Sequence, residues 1–329
     1  MIREGKTGVE EVEQMLAKFH SGEIEFLKTG IDWLDDSLLG GISPSTIIGI
    51  AALSGHGKTY LLQQIESNIK ETYDDVVFVN CVWELTEFKL LTRELAKETN
   101  RSVRQVYSEK PTPELQARYD EILSKFKKPN CYVQPEPVDA DTFFEDIKSI
   151  IKKHPNDKII VSIDNLENVL LSQSKSQKMS MDLVLQRVNI LAKLHKFISF
   201  VILNQLNNDF EDNMSNPTNM FPTAKSVYGT RQLEKISDVL IIKVLPYRLG
   251  ISKYGVFSKK RYKYIPDEYK YNMDNVAKTT NFLSDGMAYF HVVKARGLEE
   301  EFDAKNLYVE KIFDVPEDKE EEKITEFDY

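Results

Sequence analysis

One stretch restricts what this chain can fold into more than any other: Ala52-Leu53-Ser54-Gly55-His56-Gly57-Lys58-Thr59, a small residue, four free positions, then Gly-Lys-Thr. This is the phosphate-cradling P-loop pattern, which works only between a strand and a helix. Both flanks are legible. Thr46-Ile47-Ile48-Gly49-Ile50-Ala51 reads as a buried strand, and Leu61, Leu62, Ile65 and Ile69 recur at helical spacing downstream. Loop N–H groups and the positive helix end then point at the phosphates of a nucleotide, Lys58 adds a positive charge, and the Thr59 hydroxyl can ligate magnesium. Ala52 stands where many such loops carry a third glycine, and a methyl group is the smallest addition that turn can receive.

With 329 residues, 41% hydrophobic and 29% charged, the chain can bury a large core. No run of about eighteen apolar residues and no charged-then-apolar leader is present, so a soluble cytoplasmic protein without a membrane span is expected. Cys81 and Cys131 lie outside any CxxC spacing, which supports neither a disulfide framework nor a zinc site. A net charge of −9 argues against a protein that coats nucleic acid indiscriminately. Residues 316–329 carry seven acidic and two basic residues, −5 of that total, and read as a disordered tail.

Taken in order, Val9, Val12, Leu16 and Phe19 share one face of a helix expected from Gly8 to about His20, cut off by Ser21-Gly22. That face can pack back on its own domain or dock on a neighbouring subunit. Thr29-Gly30, Leu34-Asp35 and Gly40-Gly41 lead into the P-loop strand, and with it they resemble the RecA-like ATPase core. A second apolar strand, Asp74–Val82, puts Glu84 at a carboxyl edge of the sheet, where ligands of open parallel sheets bind. Glu84 there can accept a proton from an attacking water, or it can complement the dipole of the helix that follows. Lys158–Asp164 is a buried strand closed by a carboxylate, the Walker B pattern that holds magnesium opposite Thr59.

A polar loop with Lys175 and Lys178 follows, then a helix and the strand Phe200–Leu203, which places Gln205 at the same edge to read the γ-phosphate or merely to cap the strand. Residues 207–225 read as a long Asn/Met/Pro loop, and Ser237–Ile242 as a further strand. Ser252–Tyr271 interleaves Lys and Arg with Tyr and Phe, a composition suited either to tracking single-stranded nucleic acid or to a solvated hairpin. Ala288–Val293 is a last strand, running into Lys294-Ala295-Arg296-Gly297. Its two cations serve either as an arginine-finger pair or as ordinary edge charges.

From about Gly8 to Glu310 these landmarks resemble the C-terminal ATPase domain of DnaB-type replicative hexameric helicases. The more specific ones are the linker-like first helix, Glu84 followed by the Leu90/Arg93/Leu95/Ala96 helix, Leu233-Glu234…Asp238, and Lys294-x-Arg296-Gly297. The resemblance implies an α/β RecA-like P-loop core, a mostly parallel sheet flanked by helices, with a C-terminal β-hairpin region. It divides the chain into a linker helix over 1–25, an ATPase domain over 26–315 and the tail. It implies an ATP- and magnesium-dependent helicase of DNA replication, assembled as a homo-hexameric ring that moves 5′ to 3′ on single-stranded DNA in a bacterial cell or phage-infected host. A primase or a helicase loader is the implied partner. Lys58, Thr59 and Asp164 would bind phosphate and magnesium, Glu84 would be the base, and Gln205 the γ-phosphate sensor. Lys294 and Arg296 would act on a neighbour, and Lys175, Lys178, Lys225 and Arg231 would meet DNA phosphates. The sequence departs from the family at Tyr228-Gly229-Thr230-Arg231, where Arg-Glu-Ser-Gly is usual, and in the long Ser252–Tyr271 segment. The alternative is a RecA- or KaiC-like DNA-dependent ATPase that does not unwind.

Overall fold

The computed structural model describes residues 5–22, 25–127, 130–171, 176–195, 197–213, 222–229, 231–251, 253–258, 270–271, 279–283, 286–296 and 307–311. The apolar run ahead of the P-loop forms β1 (Ile47–Ala52), every residue of it buried. After it come α3 (Lys58–Thr72), β2 (Val76–Val82), α4 (Glu87–Glu98), α5 (Val103–Ser108), α6 (Pro113–Phe126), β3 (Cys131–Gln134) and α7 (Ala140–Lys153). The chain continues through β4 (Lys158–Asp164), α8 (Gln177–Leu194), β5 (Ile198–Gln205), α9 (Asn208–Asn213), α10 (Gln232–Ile236) and β6 (Val239–Val244). Ahead of β1 lie α1 (Gly5–His20) and α2 (Asp32–Ser37). The C-terminal strands are β7 (Lys253–Ser258), β8 (Lys270–Tyr271), β9 (Thr279–Leu283), β10 (Met287–Ala295) and β11 (Leu307–Lys311).

Eight strands make one sheet in the order β11-β10-β6-β1-β5-β4-β2-β3. The pairs from β6 to β3 are parallel, and β10 runs antiparallel to both β6 and β11. Parallel strands need helical crossovers that cover both faces, which is why these strands read as continuous apolar runs. Alternation along β1 sends Ile47 and Ala51 into a core shared with Phe143, Val184, Val188 and Leu191, and Ile48 and Ile50 into a second one with Leu61, Leu62 and Ile65. Each such fully buried aliphatic side chain contributes about 1.5–3 kcal/mol, an upper figure because unfolded chains already bury some surface. Because the parallel strands share one direction, β1, β2, β4 and β5 all deliver their last residues to the same edge.

The Thr29-Gly30…Asp35 signature has a physical job. Buried Asp35 accepts from the Thr29 backbone N–H at 2.8 Å and from its hydroxyl at 2.9 Å, fixing the entry to the sheet. Helix α1 is three residues longer than its apolar pattern predicts. Its Val9 (58% exposed), Val12 (58%) and Leu16 (49%) have no cover, and Phe19 alone turns inward, its ring 5.0 Å from that of Phe26. Only the Phe19 end of that face packs back on its own domain; Val9, Val12 and Leu16 do not.

Four expectations need correction. Lys178 lies in the first turn of α8, not in a loop, because the Ser176 hydroxyl accepts from the Met179 N–H and starts the helix earlier. The stretch after Gln205 is not all loop: α9 and a 3₁₀ turn, Ala224–Ser226, occupy its two ends. β6 runs to Val244 and so takes in Lys243, which an apolar reading excluded. Finally, β7, β8 and β9 form a three-stranded antiparallel sheet of their own, where a two-stranded hairpin stood as the solvated reading of Ser252–Tyr271. Lys259, Lys260, Arg261 and Lys263 of that segment lie outside the described residues, as do Lys175 and the acidic tail.

Candidate nucleotide site

Gly55 and Gly57 take φ of 73° and 76°, a left-handed backbone that favours glycine, and Gly57 is the residue from which α3 departs. Lys58, the first residue of α3, is only 6% exposed. Burial pulls its ammonium pKa down, while the carboxylates of Glu84, Asp164 and Glu167 push the other way. Those three acids thus face one lysine from the ends of β2 and β4. The two ends are tied together: the Trp83 and Glu84 backbone N–H groups both donate to the Asp164 carbonyl, at 2.6 and 3.1 Å.

The Thr59 hydroxyl donates to Asp164 Oδ2 at 2.7 Å. The other oxygen, Asp164 Oδ1, is buried and has no hydrogen-bond partner among the described residues. Burial, with Glu84 adding to it, lifts this carboxyl to about 6, against the Thr59 hydrogen bond and the Lys58 charge. An orphaned, desolvated carboxylate oxygen beside a threonine hydroxyl fits a hydrated magnesium ion, which takes one or two protein oxygens and fills its shell with water and phosphate. Among the described residues no cluster of three or more His, Cys, Asp or Glu could hold a metal.

Glu84 itself is exposed at this edge, placed to meet solvent water. Gln205, half-buried, ends β5, with its side chain hydrogen-bonded to Glu167. Glu167 is a carboxylate that strand-end reasoning misses, because it sits one residue into the 3₁₀ turn after Walker B, at Leu166–Asn168. Burial holds its pKa up, and the Asn165 amide donates to it at 2.8 Å. Lys243 was missed too; its ammonium donates to the Gly57 carbonyl at 3.2 Å. A lone lysine inside Val-Leu-Ile-Ile-Lys-Val was the signal for it.

Lys294 and Arg296 do not join this group. Lys294 donates to the Glu234 and Lys235 carbonyls at the end of α10. Arg296 reaches Asp238 Oδ1 at 3.1 Å and the Lys235 carbonyl at 2.6 Å. Lys294 registers with Leu240 of β6, whereas Ala52 registers with Lys243. Three residues of strand, about 10 Å at ~3.3 Å each, separate the two registers, and Arg296 lies further off still. Of the other expected DNA contacts, Lys178, Lys225 and Arg231 are exposed. The segment holding the last two is fastened under the site, because the Tyr228 N–H donates to the Gln205 carbonyl at 2.8 Å and Asn204 Nδ2 to the Tyr228 carbonyl at 3.0 Å.

His56 fills the inner wall of the loop. Its Nδ1 accepts from the Leu245 N–H at 3.0 Å, so a proton there would break the bond, and burial together with Arg248, Lys58 and Lys243 lowers its pKa to about 4. His291, buried against Tyr254 at 2.8 Å, is lowered to about 3 by burial. Both folded values lie below the unfolded ~6.5, so their stabilisation is complete above pH ~6.5 and is lost as pH falls. By pH 4.5 each costs about 3 kcal/mol, while Asp164, shifted the other way, returns about 2, and Glu94 and Glu167, also held up by burial, return a smaller part. The histidines win. Thermal unfolding of the nucleotide-free protein should therefore show a clear loss of stability between pH 6.5 and 4.5; a flat profile would mean these imidazoles are not held neutral.

A P-loop on the central strand of a parallel sheet, with a strand-end aspartate bonded to its threonine, defines a RecA-like P-loop nucleotide-binding protein. The sequence matches the family described as DnaB-like helicase C terminal domain over residues 27–248, and the chain belongs to that family. Comparison with proteins of curated function gives no match. Among solved structures, the chain is similar to the ATPase domain of G40P (14% identity, TM-score 0.67, 90% of this chain and 93% of that one). It is also similar to a DnaB-like replicative helicase solved with regard to its interactions with primase (15% identity, TM-score 0.62, 88% of this chain and 61% of that one). At such identities the likeness is one of fold. None of the described helices is long and apolar enough to cross a membrane.

Proposed function

We propose that this chain is the motor domain of a replicative DNA helicase, hydrolysing ATP in a homo-hexameric ring that moves 5′ to 3′ on single-stranded DNA. The observation that carries the reading is a division: Lys58, Thr59, Glu84, Asp164 and Gln205 gather at one edge of the sheet, and Lys294 and Arg296 sit away from it. A chain that keeps its cations far from its own phosphates is suited to supplying them to a neighbour's. In this reading Lys58 and the loop N–H groups bind the phosphates, and Thr59 and Asp164 hold magnesium, which neutralises phosphate charge. Glu84 takes the proton from the attacking water, and Gln205 senses the γ-phosphate. Lys175, Lys178, Lys225 and Arg231 face DNA, and the basic and aromatic Ser252–Tyr271 segment adds a second track for it.

Residues 1–25 serve as the linker, 26–315 as the ATPase domain and 316–329 as a tail. The protein works in the cytoplasm of a bacterial or phage-infected cell, with a primase or loader as partner. The exposed Val9/Val12/Leu16 face of α1 supports docking on the adjacent subunit, where it would lose contact with water. Deleting residues 1–20 should leave a folded monomer with little DNA-stimulated turnover, measured by light scattering and phosphate release; a truncated chain that still forms full rings would remove α1 from the interface.

The experiment for the whole reading is strand separation. With ATP and magnesium, the protein should hydrolyse faster in the presence of single-stranded DNA and unwind a forked duplex bearing a free 5′ arm. DNA-stimulated hydrolysis without unwinding would favour the RecA- or KaiC-like alternative, and no hydrolysis would point to a scaffold.

A further inference from the structure

Lys243 is a feature of the site that neither the P-loop pattern nor the family landmarks account for. It sits in mid-sheet on β6, in register with Ala52 on one side and Phe290 on the other, and is 5% exposed. A cation has little reason to be there, because burying an ammonium is costly unless its charge and donors are met. The acceptor it meets among the described residues is the Gly57 carbonyl, at 3.2 Å. Two rings flank it, with centroids 5.5 Å away for Tyr60 and 5.3 Å for Phe290. Burial lowers its pKa to about 8, with Glu310 opposing and Arg248 adding to the fall. Glu310 is in turn held by Trp33, whose Nε1 donates to it at 2.9 Å.

The fit to the loop is close. A Cβ built on Gly57 would come within 2.9 Å of the Lys243 ammonium, so the glycine and the lysine share one corner, and a side chain at 57 would both displace the ammonium and strain the positive φ. Gly57 is also the residue at which the chain turns, with positive φ, into α3. Its carbonyl also accepts from the Leu61 N–H at 3.2 Å in the first turn of α3, so it is bonded from the helix and, through Lys243, from the sheet. The two together keep it from swinging toward the phosphates, where it would repel them and take away N–H donors.

We propose that Lys243 is a positioning residue for the nucleotide: its ammonium pins the Gly57 carbonyl against the sheet and keeps the P-loop in its phosphate-binding shape before any phosphate arrives. This rests on the reading of Ala52–Thr59 as the nucleotide cradle. The role differs from that of Lys58, which meets the phosphates directly.

The sign of the effect on stability separates this from ordinary structural support. Methionine has similar length and no charge, so Lys243→Met removes a buried cation and should leave the melting temperature of the nucleotide-free protein unchanged or higher. Nucleotide affinity should fall all the same. With an ATP analogue and magnesium, calorimetry on the full chain should give a Kd raised roughly tenfold or more, the usual scale for a lost charge-assisted hydrogen bond. Hydrogen exchange without nucleotide should quicken at the amides of 54–59 and stay slow in β1 and β6. Binding within twofold of the wild type, or unchanged exchange in the loop, would overturn the proposal. So would a melting temperature that falls in step with affinity, or loss of cooperative unfolding, since Lys243 would then support the sheet rather than the loop. If the wild-type chain itself binds no nucleotide, the cradle reading fails, and that result is distinguishable from a Lys243 that does not matter.

Discussion

Lys58→Ala is expected to abolish measurable nucleotide binding and turnover together, and Glu84→Gln to leave binding intact while hydrolysis falls by about 10²–10⁴-fold, the usual span for loss of a general base. The difference follows from where the two side chains sit. Lys58 is buried at the start of α3, where it faces the carboxylates of Glu84, Asp164 and Glu167 and, in the proposed reading, the phosphates. Removing it leaves Asp164 and Glu167, each already opposed by Glu84, to meet the nucleotide without compensation, so both ground-state and transition-state binding suffer. Glu84 is exposed and two residues past its strand, tied through its backbone to Asp164, so its amide variant keeps the local structure. Filter binding and phosphate release on the two variants decide the matter. Wild-type hydrolysis by Glu84→Gln would move the base to Glu167, whose raised pKa and contact with Gln205 make it the carboxylate to change next.

How far the sequence carried this reading depended on the range of the interaction involved. The P-loop was legible because its chemistry is local: glycines, a lysine and a threonine within one turn, between an apolar run and a helical period. The ends of β2, β4 and β5 were legible for a related reason, since parallel strands covered on both faces leave polar residues only at their tips. Lys243 was not, because apolar periodicity ends a strand at the first charge, and only the Gly57 carbonyl, 186 residues away in sequence, explains the exception. Glu167 escaped because the turn that holds it is set by Asn165, whose side chain accepts from the Glu167 N–H, and not by any hydrophobic pattern. The start of α8 was misplaced by a capping serine, and α9 by a composition rich in asparagine. The pairing of Lys294 and Arg296 was visible as a spacing, but their distance from their own P-loop needed the register of β10 against β6.

That distance yields the second large effect, which is complementation between two inactive proteins. Arg296→Ala should be as dead in hydrolysis as Glu84→Gln, yet for a different subunit's sake. Its loss is not a matter of folding: the Arg296–Asp238 pair is partly exposed, and such pairs are worth about 0–1 kcal/mol. In a ring built from head-to-tail contacts, every interface takes its P-loop, Glu84 and Asp164 from one subunit and its cations from the next. An Arg296→Ala subunit still offers a working Glu84, and a Glu84→Gln subunit still offers a working Arg296. Random assembly of the two in equal amounts makes about a quarter of the interfaces complete. Phosphate release should therefore reappear on mixing, rise with the time allowed for subunit exchange, and vanish again if both changes are carried by the same chain. Lys294→Ala should behave as Arg296→Ala does, because the two side chains share the Lys235 carbonyl and would have to leave it together to reach a neighbour. Mixtures that remain inactive after co-assembly has been demonstrated by pull-down of differently tagged subunits would contradict action in trans and return both cations to fastening the end of α10 to the sheet.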